Sequence, residues 1–235
     1  YYIGFNMLDS IVGGDGKKAM LLRRAISIAV DYEEYISIFA NGRGVVAHSP
    51  IPPGIFGYQD SEDYYNAAIF NYANKNIIKK SVEEAKKLLV MAGYSNGINQ
   101  ETGKPLVLYF EATGAGADTY AFLNWLRKQF KKINIQLVTR VTDYNRFQEK
   151  MINGTGQIFQ WGWNADYPDP ENFLFLLYSK NGKVKFGGVH FLETWIGTSL
   201  SLARSSRLIV RFVPSAKNIP SLYSNRSLLT FNFIA

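Results

Sequence analysis

A chain of 235 residues with 47% hydrophobic residues and a mean hydropathy of -0.11 is long and apolar enough to bury one or two globular cores. It has no cysteine, which excludes disulfide frameworks, zinc thiolate sites and thiol nucleophiles. The net charge of +7 is uneven: residues 1–188 hold 21 Lys+Arg against 18 Asp+Glu, while residues 189–235 hold five against Glu193 alone. Near balance over most of the chain argues against a nucleic-acid partner despite a pI near 9.4.

The longest clean apolar runs, such as FLFLLY at 173–178, fall far below the roughly 20 residues that span a bilayer. The opening YYIGFNM lacks the charged region and cleavage site of a signal peptide. Tyr1, Ile3, Phe5 and Met7 alternate as a strand, and GGDG at 13–16 is a turn. Residues 17–30 place Leu21, Leu22, Ala25, Ile26 and Ala29 near helical spacing. Asp31 caps a second helix, with Glu34 at the reciprocal capping-box position and Gly42 at its end. Pro50, Pro52 and Pro53 make residues 49–58 an extended, ordered connection. His48 and His190 lack partners at metal-ligand spacing, so His48 reads as a plain loop histidine.

Residues 59–80 show weak periodicity and read as a surface excursion. Ser81 and Glu84 form a capping box ahead of the apolar face Ala85, Leu88, Leu89 and Ala92, closed by Gly93. PLVLYFEAT at 105–113 is a strand, followed by GAG at 114–116 and a helix over 118–132. A glycine turn between strand and helix is a possible phosphate cradle. The dinucleotide fingerprint needs glycine at 119, which is Thr119, and no GK[ST] follows, so a plain turn is the default and a small α/β nucleotide-binding enzyme is the alternative. Ile133, Ile135 and Leu137 alternate as a strand, and Asp143 caps a short helix carrying Tyr144, Phe147 and Met151 that ends at Gly154. The alternation of strands and helices up to Gly162 implies a mixed or parallel α/β sheet with its ligand crevice at strand ends.

A last strand over 156–161 runs into QWGWNADYPDP, where Pro168 and Pro170 oppose its continuation. Asp166, flanked by Trp161, Trp163 and Tyr167, therefore sits at a strand exit as a clamp for a cationic group. The plainer reading of the same residues is a proline-rich turn capped by Asp166.

GWNADYPDP, together with LLRRAISIAVDYEEYISIFANGRG, SPIPPGIFGY and SVEEAKKLLVMAGY, resembles the family 5 extracellular solute-binding proteins that serve peptide and oligopeptide ABC importers. The resemblance covers about residues 1–187. It implies one lobe of a two-lobed, type II periplasmic-binding-protein fold, with a leader and much of the first lobe upstream. It also implies a monomeric, cofactor-free binding protein of the periplasm or cell envelope that hands a peptide-like solute to a permease without catalysis. Residue by residue, the resemblance implies that the backbone of Gly162, Trp163 and Asn164 pairs with an extended peptide. It implies further that Asp166 meets the ligand's ammonium and that Tyr144 lines the cleft, while Phe147 belongs to the core. Where some members carry arginines for the ligand carboxylate, this chain has Met151 and Gln160. The resemblance stops near residue 188, where acids vanish and serine, leucine and arginine accumulate. Residues 188–235 accordingly read as an atypical basic tail, either a shifted reading frame or a divergent segment, and a fragment lacking half its cleft is a further alternative.

Overall fold

The computed structural model describes residues 1–59 and 65–177 and the backbone of three short strands at 184–186, 189–191 and 233–234. The expected tail therefore lies almost wholly outside the described residues.

A six-stranded mixed sheet runs through the molecule. Its strands are β1 (Tyr2–Phe5), β2 (Val46–Ala47), β5 (Val107–Thr113), β6 (Gln136–Thr142), β7 (Ile158–Trp161) and β10 (Phe233–Ile234), in the order β2-β10-β1-β7-β5-β6. Strands β5, β6 and β7 are parallel, and β1 runs antiparallel to β7 with Tyr2 opposite Trp161. The other strands form two hairpins, β3 (Phe70–Ala73) with β4 (Asn76–Lys79) and β8 (Val184–Phe186) with β9 (Val189–Phe191). Among the described residues the six α-helices are α1 (Lys17–Ala29), α2 (Tyr32–Phe39), α3 (Val82–Met91), α4 (Ala117–Lys131), α5 (Tyr144–Ile152) and the single turn α6 (Glu171–Leu174).

Strand alternation divides the core in two. Ile3, Phe5, Leu108, Phe110 and Ile158 point to the face covered by α1 to α4, in a core with Leu22, Ile26, Leu89, Leu126 and Phe130. Tyr2 and Phe159 point the other way, into a smaller cluster with Phe147 and Met151 of α5 and Leu176. The expected strand at the start is thus buried on both faces, because α5 covers the side that single-faced alternation leaves to solvent.

Several helix ends follow local chemistry. Ser81 and Glu84 form the reciprocal capping box, and Asp143 accepts from the Arg146 amide. Asp31 accepts from the Glu34 amide, but Glu34 does not reciprocate. Its carboxylate takes the Gln129 amide at 2.8 Å and Lys132 at 3.6 Å, tying α2 to α4.

Two expectations are corrected. The proline-rich stretch 49–58 is folded into turns, with the Ile55 amide on the Pro52 carbonyl and the Tyr58 amide on the Ile55 carbonyl. Residues 71–80 do stay near the surface, but as a regular hairpin that turns through Asn74 and Lys75, both at positive φ, and Ala68, Ile69 and Phe70 ahead of it are buried in the core.

At the hairpin's far end the Lys79 ammonium reaches the Val30 carbonyl at the C-terminus of α1. Burial lowers its pKa from 10.5 to about 8. The sign follows directly: between pH 8 and 10 the unfolded chain still binds this proton and the folded chain has released it, so stability rises with pH there. The rise should reach about 1 kcal/mol per pH unit. Lys79→Met should remove most of that slope, as read from urea midpoints at pH 7.5, 8.5 and 9.5.

Candidate functional site

Polar contacts first fix where β7 begins. The Asn6 carboxamide donates to the Gly154 and Gly156 carbonyls at 2.7 and 2.6 Å, and Gln157 bridges the Asp9 carboxylate and the Tyr109 amide. Fully buried Arg23 of α1 holds the same region through the Val12 carbonyl at 2.6 Å. With its start pinned, β7 delivers Trp161 to the carboxyl end of the parallel strands.

There three rings meet. Phe147 is buried and lies 5.1 Å from Trp161; Tyr144, 50% exposed, stacks on Phe147 and meets Trp161 edge-on, both at 6.4 Å. Helical spacing puts residues 144 and 147 of α5 on one face, so the buried ring supports the exposed one. Gly162 follows in close contact with Tyr1: a Cβ there would lie 3.0 Å from the Tyr1 ring.

The loop after Gly162 is organised by a residue that sequence reasoning missed. Asn172, buried in α6, accepts from the Trp163 indole at 2.8 Å and from the Asp166 amide at 3.3 Å. No local motif announces it, because its partners lie six and nine residues away in an irregular loop. Phe175 packs edge-on against Trp163 at 4.7 Å. Asn164, Ala165 and Asp166 are exposed. Among the described residues no side chain pairs with the Asp166 carboxylate.

Not every expected neighbour joins the clamp. Tyr167 instead donates its hydroxyl to Glu171, and that carboxylate raises the phenol's pKa, with Asn172 acting in the opposite sense. Met151 is buried beneath the rings, while Gln160 lies on the opposite sheet face beside Tyr35. Neither position supplies a cation.

On that opposite face a depression of about 480 Å³ is lined by Tyr35, Phe39, Asp118, Thr119, Phe122 and Gln160. Thr113, Asp118 and Thr119, which flank the glycine turn at 114–116, line it, but the glycines do not. Gly114 has φ +102 and packs against the Thr119 hydroxyl, and the first turn of α4 carries Asp118. A carboxylate at a helix N-terminus occupies the field that an anionic ligand needs. His48 packs edge-on to Phe70 at 4.8 Å, and among the described residues no group of three His, Cys, Asp or Glu could hold a metal ion. None of the described helices is long and apolar enough to cross a membrane.

Comparison with known proteins gives this geometry a context. Residues 1–185 match the model of the bacterial extracellular solute-binding proteins, family 5 middle region. The chain belongs to that family. The chain is 29% identical over 162 residues to the heme-binding protein A of Haemophilus influenzae, covering 68% of the chain and 26% of the relative. It is 24% identical over 161 residues to the oligopeptide-binding protein OppA of Bacillus subtilis, covering 68% and 27%. The chain thus spans about a quarter of the length of these curated relatives. Its fold is shared with the DppA periplasmic binding protein of Helicobacter pylori in complex with the peptide STSA, at TM-score 0.58 and 24% identity over 76% of this chain and 30% of that one. It is shared also with the Bacillus subtilis AppA bound to a nonapeptide, at TM-score 0.57 and 22% identity over 78% and 34%. The neighbours are two-lobed, and the chain covers only part of them, as the resemblance implied.

Proposed function

We propose that residues 1–187 are the ligand-binding lobe of the substrate-binding component of an ABC importer, and that its cleft captures a peptide-like solute by its amino end. The observation that carries this reading is the exposed Asp166 carboxylate, which pairs with no side chain among the described residues, on the loop that follows the Trp161 and Tyr144 rings and is tied to the Trp163 indole through Asn172. A carboxylate between low-polarity walls favours an ammonium, and closure of a second lobe strengthens the pair by excluding water. Gly162, Trp163 and Asn164 present main-chain groups to an extended ligand, which gives affinity without sequence preference. The solute is released unchanged to a permease, so the site is non-catalytic and cofactor-free. The protein works as a monomer in the periplasm or cell envelope, and residues 188–235 are an atypical basic segment by composition, of which β10 joins the sheet beside β1.

Calorimetry on the full-length two-lobed protein tests this with Ala-Ala-Ala and its N-acetyl derivative. The reading predicts at least a tenfold preference for the free amine. Equal affinity for both, or binding of neither, contradicts it. A second reading follows from the relationship to a heme-binding protein: the flat aromatic face of Tyr144, Phe147 and Trp161 suits a planar apolar ligand. Hemin binding that survives in the absence of any peptide binding favours it.

A further inference from the structure

Asn172 is only 3% exposed, yet it lies directly behind the most exposed part of the loop. Its carboxamide oxygen has two lone pairs and receives two donors, the Trp163 indole at 2.8 Å and the Asp166 amide at 3.3 Å. The two donors belong to the ring and to the carboxylate-bearing residue of the proposed clamp. Residues 162–165 have no regular secondary structure, so the loop needs another source of rigidity. The short turn of α6 supplies it: the Leu174 amide closes on the Pro170 carbonyl at 2.9 Å, and Phe175 holds the Trp163 ring from the side.

We infer that Asn172 is a positioning residue, whose single buried oxygen couples the Trp163 ring to the Asp166 backbone and presents both as one unit to the amino end of a peptide. This rests on the role proposed for Asp166. A residue that only stabilised the fold would change affinity for free and blocked peptides alike, whereas a positioning residue changes the preference between them.

The test is calorimetry of Ala-Ala-Ala and N-acetyl-Ala-Ala-Ala on the full-length protein and its variants, with indole N–H resonances recorded on ¹⁵N-tryptophan samples. Asn172→Ala should lower free-amine affinity at least tenfold and leave the acetylated peptide nearly unchanged. It should also shift the Trp163 indole resonance and speed its hydrogen exchange. Asn172→Asp, which keeps an acceptor oxygen, should retain most of the preference, and Trp163→Phe, which keeps the Asp166 bond, should lose less than Asn172→Ala. A folded Asn172→Ala with full preference, alongside an Asp166→Ala that has lost it, overturns the positioning role alone. If Asp166→Ala also keeps the preference, the role of Asp166 fails and the positioning role fails with it. If Asn172→Ala does not fold, an Asn172→Asp protein that has lost the preference overturns the inference, and one that retains it supports it.

Discussion

In the full-length protein, Asp166→Ala should weaken binding of a free-amine tripeptide by roughly 30- to 150-fold, about 2–3 kcal/mol. The magnitude follows from what closure does to the pair. In the isolated lobe Asp166 is exposed, and a pair formed there in bulk solvent is worth under about 1 kcal/mol. Once a second lobe excludes water, the ligand's ammonium has no other carboxylate among the loop residues 162–168, and loss of its partner leaves a charge buried and unpaired. Asp166→Asn should fall nearly as far, because the amide accepts a hydrogen bond but carries no charge. Tyr144→Ala should cost less, since its ring is half exposed and contributes apolar contact alone.

Phe147→Ala should be the most damaging single change to the lobe, at about 3–5 kcal/mol. Its ring is 1% exposed and fills the centre of the smaller core cluster, touching Trp161 and Tyr144 above it. Deleting it removes a buried ring and opens a cavity that the short helix α5 cannot collapse into. That helix is fixed at one end by the Asp143 cap and in its last turn by Lys150, whose ammonium lies 2.5 Å from buried Glu111. Phe147→Leu should cost about a third as much. Denaturant unfolding of the chain reads both, with Tyr144→Ala as the control that leaves the midpoint within about 0.5 kcal/mol of the parent. The same substitution should also lower ligand affinity, because Trp161 loses the surface it packs on.

Features carried by neighbouring residues were legible in the sequence. The capping box at Ser81 and Glu84, the cap at Asp143 and the helix-ending Gly154 at φ +64 all depend on partners within a turn or two. The strand at 105–113 was legible too, as β5 over Val107–Thr113, but the one expected from Ile133, Ile135 and Leu137 was placed too early, since β6 spans Gln136–Thr142. Features whose partners lie far along the chain were not. Asn6 bonds residues 148 and 150 positions away, and Glu34, placed for a local cap, is claimed by Gln129 and Lys132 of another helix. The hairpin at residues 70–79 escaped notice because its turn uses Asn74-Lys75 in place of the Asn-Gly that usually signals positive φ. At the candidate site, GWNAD and Tyr144 were named from the sequence, and the structure brings the Tyr144 ring to Trp161 immediately before that loop. Asn172 stayed hidden because an asparagine two residues after a proline carries no sign of what it will hold.

The most direct measurement is a crystal structure of the full-length two-lobed protein bound to Ala-Ala-Ala. The account predicts the peptide's ammonium within about 3 Å of the Asp166 carboxylate, its backbone paired with residues 162–164, and the Tyr144 ring against its first side chain. A peptide lying in the reverse direction, or bound away from the loop after β7, would contradict it.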